Sequence, residues 1–179
     1  HLFPEPSDYS AIVVLGGPDS ANDNTPKMKG ELESVRKATE LEIPYFGVCL
    51  GMQVLAKANG GEVYRNPMKE IGFTDKRGNY YEINLTNEGM DDQIFSGIKP
   101  QFKIFHLHGE TVNLTESMTL LATGTYCKNQ VVRVGRRAYG FQGHLEITDS
   151  MLEELIGQDD DLRKFDAEKL RRDFRDLRR

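Results

Sequence analysis

The amino-acid sequence predicts an α/β protein, and three observations carry that expectation. Two short apolar runs, AIVVL at 11–15 and the run ending PYFGV at 44–48, flank a stretch in which Met28, Leu32, Val35 and Thr39 recur every three or four positions. Continuous runs of that length suit strands of a parallel sheet buried on both faces, and the spacing between them suits an amphipathic helix. Glycine closes both runs, at Gly16-Gly17-Pro18 and at Gly47 and Gly51. Ligands bind at the carboxyl ends of parallel strands, so these two glycine turns are expected to be neighbours around a site.

In chain order, the strand at 11–15 leads into a loop from Gly16 to Pro26 and a helix over about 27–42. A strand then ends at Cys49, and Met52 to Ala58 have helix composition. From Glu62 to Val134 the pattern turns to strands and turns: EVYR, YYEINLT, FKIFHLH, LLAT and VVRV, with Asn-Pro, Arg-Gly-Asn and Lys-Asn between them. This is a β-rich, largely antiparallel insert. The chain returns through YGFQGHLE (139–146) and enters a helix at Thr148 or Asp149, both good N-caps, running to about Gly157. The remainder, from Asp159, is densely charged, with a loose apolar stripe of Leu162, Phe165, Leu170, Phe174 and Leu177. A surface helix packed on the body is the expectation, and a docking helix for another protein the alternative.

Composition narrows the function classes. At 179 residues and 20.3 kDa, with 38% hydrophobic and 28% charged residues, one soluble domain is expected. No window approaches the ~18 consecutive apolar residues of a membrane span, and no signal-peptide pattern opens the chain, so a cytoplasmic protein is expected. A net charge of -5 gives no general attraction to nucleic acid. The two cysteines, Cys49 and Cys127, lack any C-x-x-C spacing for zinc or redox work.

The chemistry concentrates at G-V-C-L-G, residues 47–51. A cysteine between two glycines at a strand-to-helix turn has the form of a nucleophile elbow, because bulky neighbours would obstruct so tight a bend. A buried, inert core cysteine is the competing reading. A helix N-terminus behind Cys49 favours the thiolate. The candidate bases are His1, His106, His108 and His144. His144 stands two residues before Glu146, so in an extended chain both point to one side and the carboxylate can orient the imidazole. Backbone N–H groups of Leu50 and of Gly16-Gly17-Pro18 are placed to stabilise an oxyanion. His106 and His108, two apart on one strand face, offer metal ligands, but no third or fourth ligand joins them at familiar spacing.

Together these residues resemble the class I glutamine amidotransferases, the triad type of glutaminase domain. LGGPDS resembles that family's oxyanion-strand motif, GVCLGMQ its elbow, HLHGETV its glutamine-binding segment and GFQGHLE its His and Glu motif, in order over about residues 9–147. The resemblance implies a flavodoxin-like central sheet, mostly parallel, with helices on both faces and the β-rich insert. It implies Cys49 as nucleophile, His144 as base and later acid, and Glu146 as orienter. Gly17 and Leu50 would form the oxyanion hole, and Gln53, Leu107, His108, Gly109 and Glu110 would hold the substrate. No cofactor and no metal are implied.

Two positions depart from the family's Gln-Phe-His-Pro-Glu ending, where Gly143 and Leu145 replace Phe and Pro. Glycine there resembles the γ-glutamyl peptidase branch, and leucine the stand-alone amidotransferases similar to the glutaminase half of GMP synthase. The family usually opens with a strand and helix that have no counterpart here. The expected domains are therefore an amidotransferase domain at 1–157 lacking that unit, with an unpaired edge at Ile12 to Leu15, and a charged helical extension at 158–179. The activity implied is hydrolysis of L-glutamine to glutamate and ammonia through a thioester. No ATP-binding loop of the G-x-x-x-x-G-K type is present, so the ammonia acceptor would be a separate synthetase. The alternatives are a γ-glutamyl peptide hydrolase with the same triad and a catalytically idle binding module.

Overall fold

The computed structural model describes residues 3–177, so His1 and the outermost positions of both expected domains lie outside the described residues. Strand β1 (Ile12–Val14) leads through a loop to helix α1 (Pro26–Glu40), strand β2 (Tyr45–Val48) and helix α2 (Leu50–Ala58). Pro26 occupies the first helical position, where its missing N–H costs nothing, and the Thr25 side chain accepts the Met28 N–H. The helix stops at Leu41 because Glu42 turns to a φ of 53°. Tyr45 and Phe46 point to opposite faces of β2 and join different apolar clusters, as the two-residue strand period requires.

The rest of the chain supplies β3 (Glu62–Gly72), β4 (Glu82–Leu85), the single turn α3 (Asn87–Met90), β5 (Gln101–Lys103) and β6 (His106–Asn113). After these come β7 (Met118–Gly124), β8 (Val131–Val134), β9 (Ala138–Phe141), α4 (Asp149–Gln158) and α5 (Ala167–Leu177). The main sheet has the order β1-β2-β9-β8-β7-β4-β5. β1, β2 and β9 pair in parallel and the remaining pairs are antiparallel, so that five of the seven strands share one direction. β1 forms one edge, with Val13 62% and Leu15 51% exposed. The core between α1, α2 and the sheet gathers Met28, Val35, Met52, Leu55, Val132 and Ala138.

Two expectations from the sequence change in the structure. FKIFHLH is not one strand: β5 pairs with β4, whereas β6 pairs with β3 in a separate antiparallel ribbon. The cause is the adjacent pair Ile104 and Phe105, which pack into different apolar clusters and carry the chain from one sheet to the other. Asn66-Pro67 is not a turn between strands but part of a bulge inside β3. Arg65 pairs with Glu110 and Glu70 with His108, leaving residues 66–69 opposite Gly109. Pro67 has no N–H to give to a ladder, so the strand bows out there.

The apolar stripe of the last segment lies against the body. Leu162, Leu170 and Phe174 are buried with Phe73, Phe105, Ile147 and Leu152, and Phe165 and Leu177 pack beside them. Among the described residues, no helix is long and apolar enough to cross a membrane.

Candidate active site

β2 delivers the cysteine. Cys49 has φ 52° and ψ -106°, a conformation that non-glycine residues rarely hold, and it caps α2. The flanking glycines are sterically required. A Cβ on Gly47 would sit 2.6 Å from the Gly51 carbonyl, and one on Gly51 would sit 2.1 Å from the Val14 carbonyl oxygen of β1. The Tyr45 hydroxyl donates to the Gly51 carbonyl at 2.8 Å, and the Cys49 N–H donates to Phe141 O at 2.7 Å, fastening the elbow to β9. Cys49 Sγ lies 3.8 Å from the Leu107 carbonyl oxygen, and the Gln142 amide nitrogen lies 3.9 Å from the sulfur.

β9 delivers the histidine. Beyond Phe141 the chain bends at Gln142 and Gly143, and the His144 N–H donates to Phe105 O at 2.7 Å. A Cβ on Gly143 would meet Ile104 Cδ1 at 2.4 Å, so any side chain there requires Ile104 to move. His144 Nδ1 lies 2.7 Å from Glu146 Oε1. Burial opposes the imidazolium, but the neighbouring Cys49 sulfur and the Glu146 carboxylate outweigh it and raise His144 from 6.5 to about 9. Burial likewise works against the Glu146 carboxylate, and the hydrogen bond and charge of His144 overcome it, holding that group below its ordinary range. His144 Nε2 is buried and meets no hydrogen-bond partner at normal distance and angle. Its contact with Cys49 is therefore looser than a formed hydrogen bond, as is common before substrate seats.

Gly16 lies between the two side chains. A Cβ there would fall 2.9 Å from His144 Cε1 and 3.4 Å from Cys49 Cβ, so the close approach of thiol and imidazole depends on its lacking one. Gly17 follows, 3.4 Å from the Leu50 side chain by the same measure. Leu50 is the first residue of α2, and its N–H has no intrahelical acceptor.

Two cavities meet at the sulfur. One, of about 550 Å³, is lined by Gly17, Cys49, Leu50, Gln53 and the run Leu107 to Glu110, with Arg65 and the bulge residues Asn66 and Lys69. All the residues expected to hold a substrate are thus brought together. Gln53 is buried and donates to the Glu110 carbonyl oxygen at 3.1 Å, so in this geometry it braces the wall. The Glu110 carboxylate accepts from the Ser20 hydroxyl at 2.8 Å, tying the Gly16-Gly17 loop to that wall. The other cavity, of about 620 Å³, lies on the His144 side between Gly16, Glu146, Ile147, Met151 and Leu155.

Three contributors were not anticipated from the sequence. Ser20 and Gln142 lie within the LGGPDS and GFQGHLE motifs, and their polar side chains beside glycine turns were the available signal. Glu70 is the third. It is buried, with Oε2 2.8 Å from His108 Nε2 and 3.3 Å from His106 Nδ1. The third group that spacing did not supply to the two histidines thus comes from the paired strand, across the bulge. Burial opposes its charge, but the His108 hydrogen bond, both imidazoles and Gln130 draw its carboxyl below the ordinary range. His106, fully buried, is pushed down to about 3 and is neutral. Cys127 sits 3.1 Å from the Thr111 hydroxyl, and burial pushes its thiol up to about 12.

A strained cysteine, a carboxylate-bound histidine and a helix N-terminus thus form a thiol–imidazole–carboxylate site at the carboxyl ends of three parallel strands. The chain belongs to the class I glutamine amidotransferase family, whose sequence model matches residues 3–158. It is 33% identical over 142 residues to a glutamine-hydrolyzing GMP synthase subunit of Archaeoglobus fulgidus, covering 78% of this chain and 68% of that one. It is 31% identical over 160 residues to a glutamine amidotransferase-like protein of Salmonella typhimurium, covering 87% of this chain and 64% of that one. The crystal structure of a glutamine amidotransferase from Thermotoga maritima superposes with a TM-score of 0.80 at 29% identity, over 93% of this chain and 70% of that one. The chain thus spans about two thirds of the length of these relatives.

Proposed function

We propose that this chain hydrolyses the side-chain amide of L-glutamine to glutamate and ammonia through a γ-glutamyl thioester on Cys49. The observation that carries the proposal is the placement of the Cys49 sulfur between the His144–Glu146 pair and a pocket lined by Gln53 and residues 107–110. The imidazole takes the thiol proton, and Glu146 holds its Nδ1–H and stabilises the imidazolium. The sulfur attacks the amide carbon, and the oxyanion is stabilised by the N–H groups of Leu50 and Gly17. The carbon–nitrogen bond breaks as His144 returns the proton to the departing nitrogen, leaving the thioester and ammonia. Water, deprotonated by His144, then attacks the thioester, releasing glutamate and regenerating the thiol. Cys49, His144 and Glu146 suffice for these steps without a cofactor.

The acceptor of ammonia in this proposal is a separate synthetase chain. The Archaeoglobus relative, named as one subunit of a glutamine-hydrolyzing GMP synthase, supports that reading. A cytoplasmic setting accords with it, and nucleic acid and membrane have no part. A second reading, hydrolysis of a γ-glutamyl peptide or amine, is favoured by one feature. The cavity on the leaving-group side is far larger than ammonia needs and is lined by Leu15, Ile147, Met151 and Leu155. Comparing kcat/KM for glutamine and for γ-glutamyl dipeptides separates the two. The first test is mass spectrometry after treatment with a glutamine-mimicking electrophile. An adduct on Cys49 that excess glutamine suppresses is the expected result; modification that glutamine does not affect would overturn the proposal.

A further inference from the structure

Beneath the pocket wall lies a buried polar cluster that the proposed chemistry does not use. Glu70, His106 and His108 each present one ligand atom, all within 4.8 Å of one another, and none is more than 6% exposed. Three atoms around it have lone pairs or N–H groups without partners: both ring nitrogens of His106 and the amide oxygen of Gln130. Buried polar groups are nearly always satisfied, and two of these orphans, His106 Nδ1 at 3.3 Å from Glu70 Oε2 and the amide end of Gln130, lie beside one carboxylate and call for a missing group.

The protons of His108 point the same way. Its Nδ1 faces the Glu110 carbonyl oxygen at 3.1 Å and its Nε2 faces the Glu70 carboxylate at 2.8 Å, both acceptors. A neutral imidazole has a single N–H to give. When Nδ1–H goes to the carbonyl, the Nε2 lone pair confronts the carboxylate unless a second ring proton or a metal ion supplies a positive charge between them.

We propose that Glu70, His106 and His108 form a closed structural site for a divalent transition-metal ion of the zinc type, bridging β3 and β6. Two imidazoles and one carboxylate are donors that zinc accepts, and atoms bound tetrahedrally at ~2.0–2.1 Å lie about 3.3 Å apart. Glu70 Oε2 and His106 Nδ1 are 3.3 Å apart, while the pair with His108 must open from 2.8 Å. The fourth position belongs to Gln130. Its amide nitrogen is 2.8 Å from Glu70 Oε2, and turning the amide end for end brings the orphaned oxygen to the cluster. The Nδ1–H of His108 stays on the Glu110 carbonyl oxygen, the hydrogen bond that orients a metal-bound imidazole. A bound ion would clamp the strand segment 106–110, whose other side lines the pocket, across the bulge at 66–69.

The test measures metal directly and does not depend on turnover. The full chain, purified without a metal-affinity tag, is stripped with a chelator, reloaded with Zn²⁺, gel-filtered and assayed by elemental analysis and thermal melting. Stoichiometric zinc is expected, with a melting temperature that falls on stripping and recovers on reloading. His106→Gln should lower Zn²⁺ affinity by more than about 100-fold, beyond the usual loss from an outer-shell change, and abolish the chelator effect. Should that variant fold poorly, Co²⁺ loaded into the unaltered chain gives a second readout, with the intense visible bands of a tetrahedral site expected. Substoichiometric zinc after reloading, zinc content undiminished in folded His106→Gln, or Co²⁺ without tetrahedral bands would each overturn the proposal. Satisfaction of the cluster by a buried water corresponds to the first of these.

Discussion

His144 Nδ1 is held 2.7 Å from Glu146 Oε1, while Nε2 on the far side of the same ring is buried with no hydrogen bond of its own. One nitrogen is thus committed to orientation, and the other has no competing hydrogen bond. Glu146→Gln replaces the acceptor with an amide of equal size, which stabilises the imidazolium less well. We expect kcat to fall by about 10²–10⁴-fold with KM nearly unchanged, a smaller loss than from His144→Ala. Steady-state kinetics on glutamine decide it, and a fully active Glu146→Gln enzyme would show the pair to be structural.

The raised pKa of His144 has a pH signature with a definite sign. The His144 imidazolium persists up to about 9 instead of 6.5, so kcat/KM should hold through neutrality and fall with an alkaline limb near 9. In stability terms, a group whose folded pKa is raised contributes fully below 6.5, and its contribution is lost as pH rises through about 9. The lowered Glu146 contributes the opposite way, present above its unfolded pKa and lost as pH falls through the folded one. A rate profile in the unaltered enzyme and in Glu146→Gln checks this. The limb should move down in the variant; an alkaline limb already at pH 7 in the unaltered enzyme would contradict the ion pair.

The two cysteines differ in setting and should differ in reactivity. Cys49 opens onto two cavities, whereas Cys127 is fully buried against Thr111 with its thiol pushed up to about 12. Cys49→Ala should remove glutamine or γ-glutamyl hydrolysis by on the order of 10⁴-fold or more. Cys127→Ala should leave kcat within a few-fold and cost ~1–2 kcal/mol of stability from lost packing and the Thr111 contact. Equal losses of activity from both would sink the assignment of the nucleophile.

Much of the site was legible because its parts are local. The elbow, the His144–Glu146 spacing and the glycine turn after β1 are each set within a few residues, and strand and turn chemistry place such motifs at the carboxyl ends of strands. The parallel pairing of β1 and β2 followed from the alternation of apolar runs and amphipathic helices, whereas the place of β9 beside β2 did not. Cross-strand relations were not legible. Glu70 meets His106 and His108 only because β3 pairs with β6, and residues 66–69 bow out so that Glu70 and His108 come into register. Nothing in the spacing of a glutamate 36 residues before His106 records that pairing. The break at Ile104 and Phe105 was equally hidden, because which cluster each apolar side chain enters is a tertiary choice.

The elbow glycines give a prediction in which one substitution has opposite effects at two places. In Gly51→Ala the new methyl group would lie 2.1 Å from the Val14 carbonyl oxygen, which is backbone and cannot swing aside. The options are displacement of β1 or of α2, and either moves the Leu50 N–H and the Gly16-Gly17 turn away from the Cys49 sulfur. We expect a loss of at least ~2 kcal/mol in stability, with residual folded protein at least about 100-fold less active, since misplacement by about 1 Å is enough for such a loss. Gly157 lies in α4 with nothing within 4 Å of a Cβ, so Gly157→Ala meets no obstacle and gains helix propensity. It should stabilise the chain by up to ~1 kcal/mol and leave kcat/KM unchanged. Chemical denaturation of the two variants beside the unaltered chain reads both signs. A Gly51→Ala protein of normal stability and activity would mean that the tight passage between β1 and the elbow helix does not hold the oxyanion donors in place.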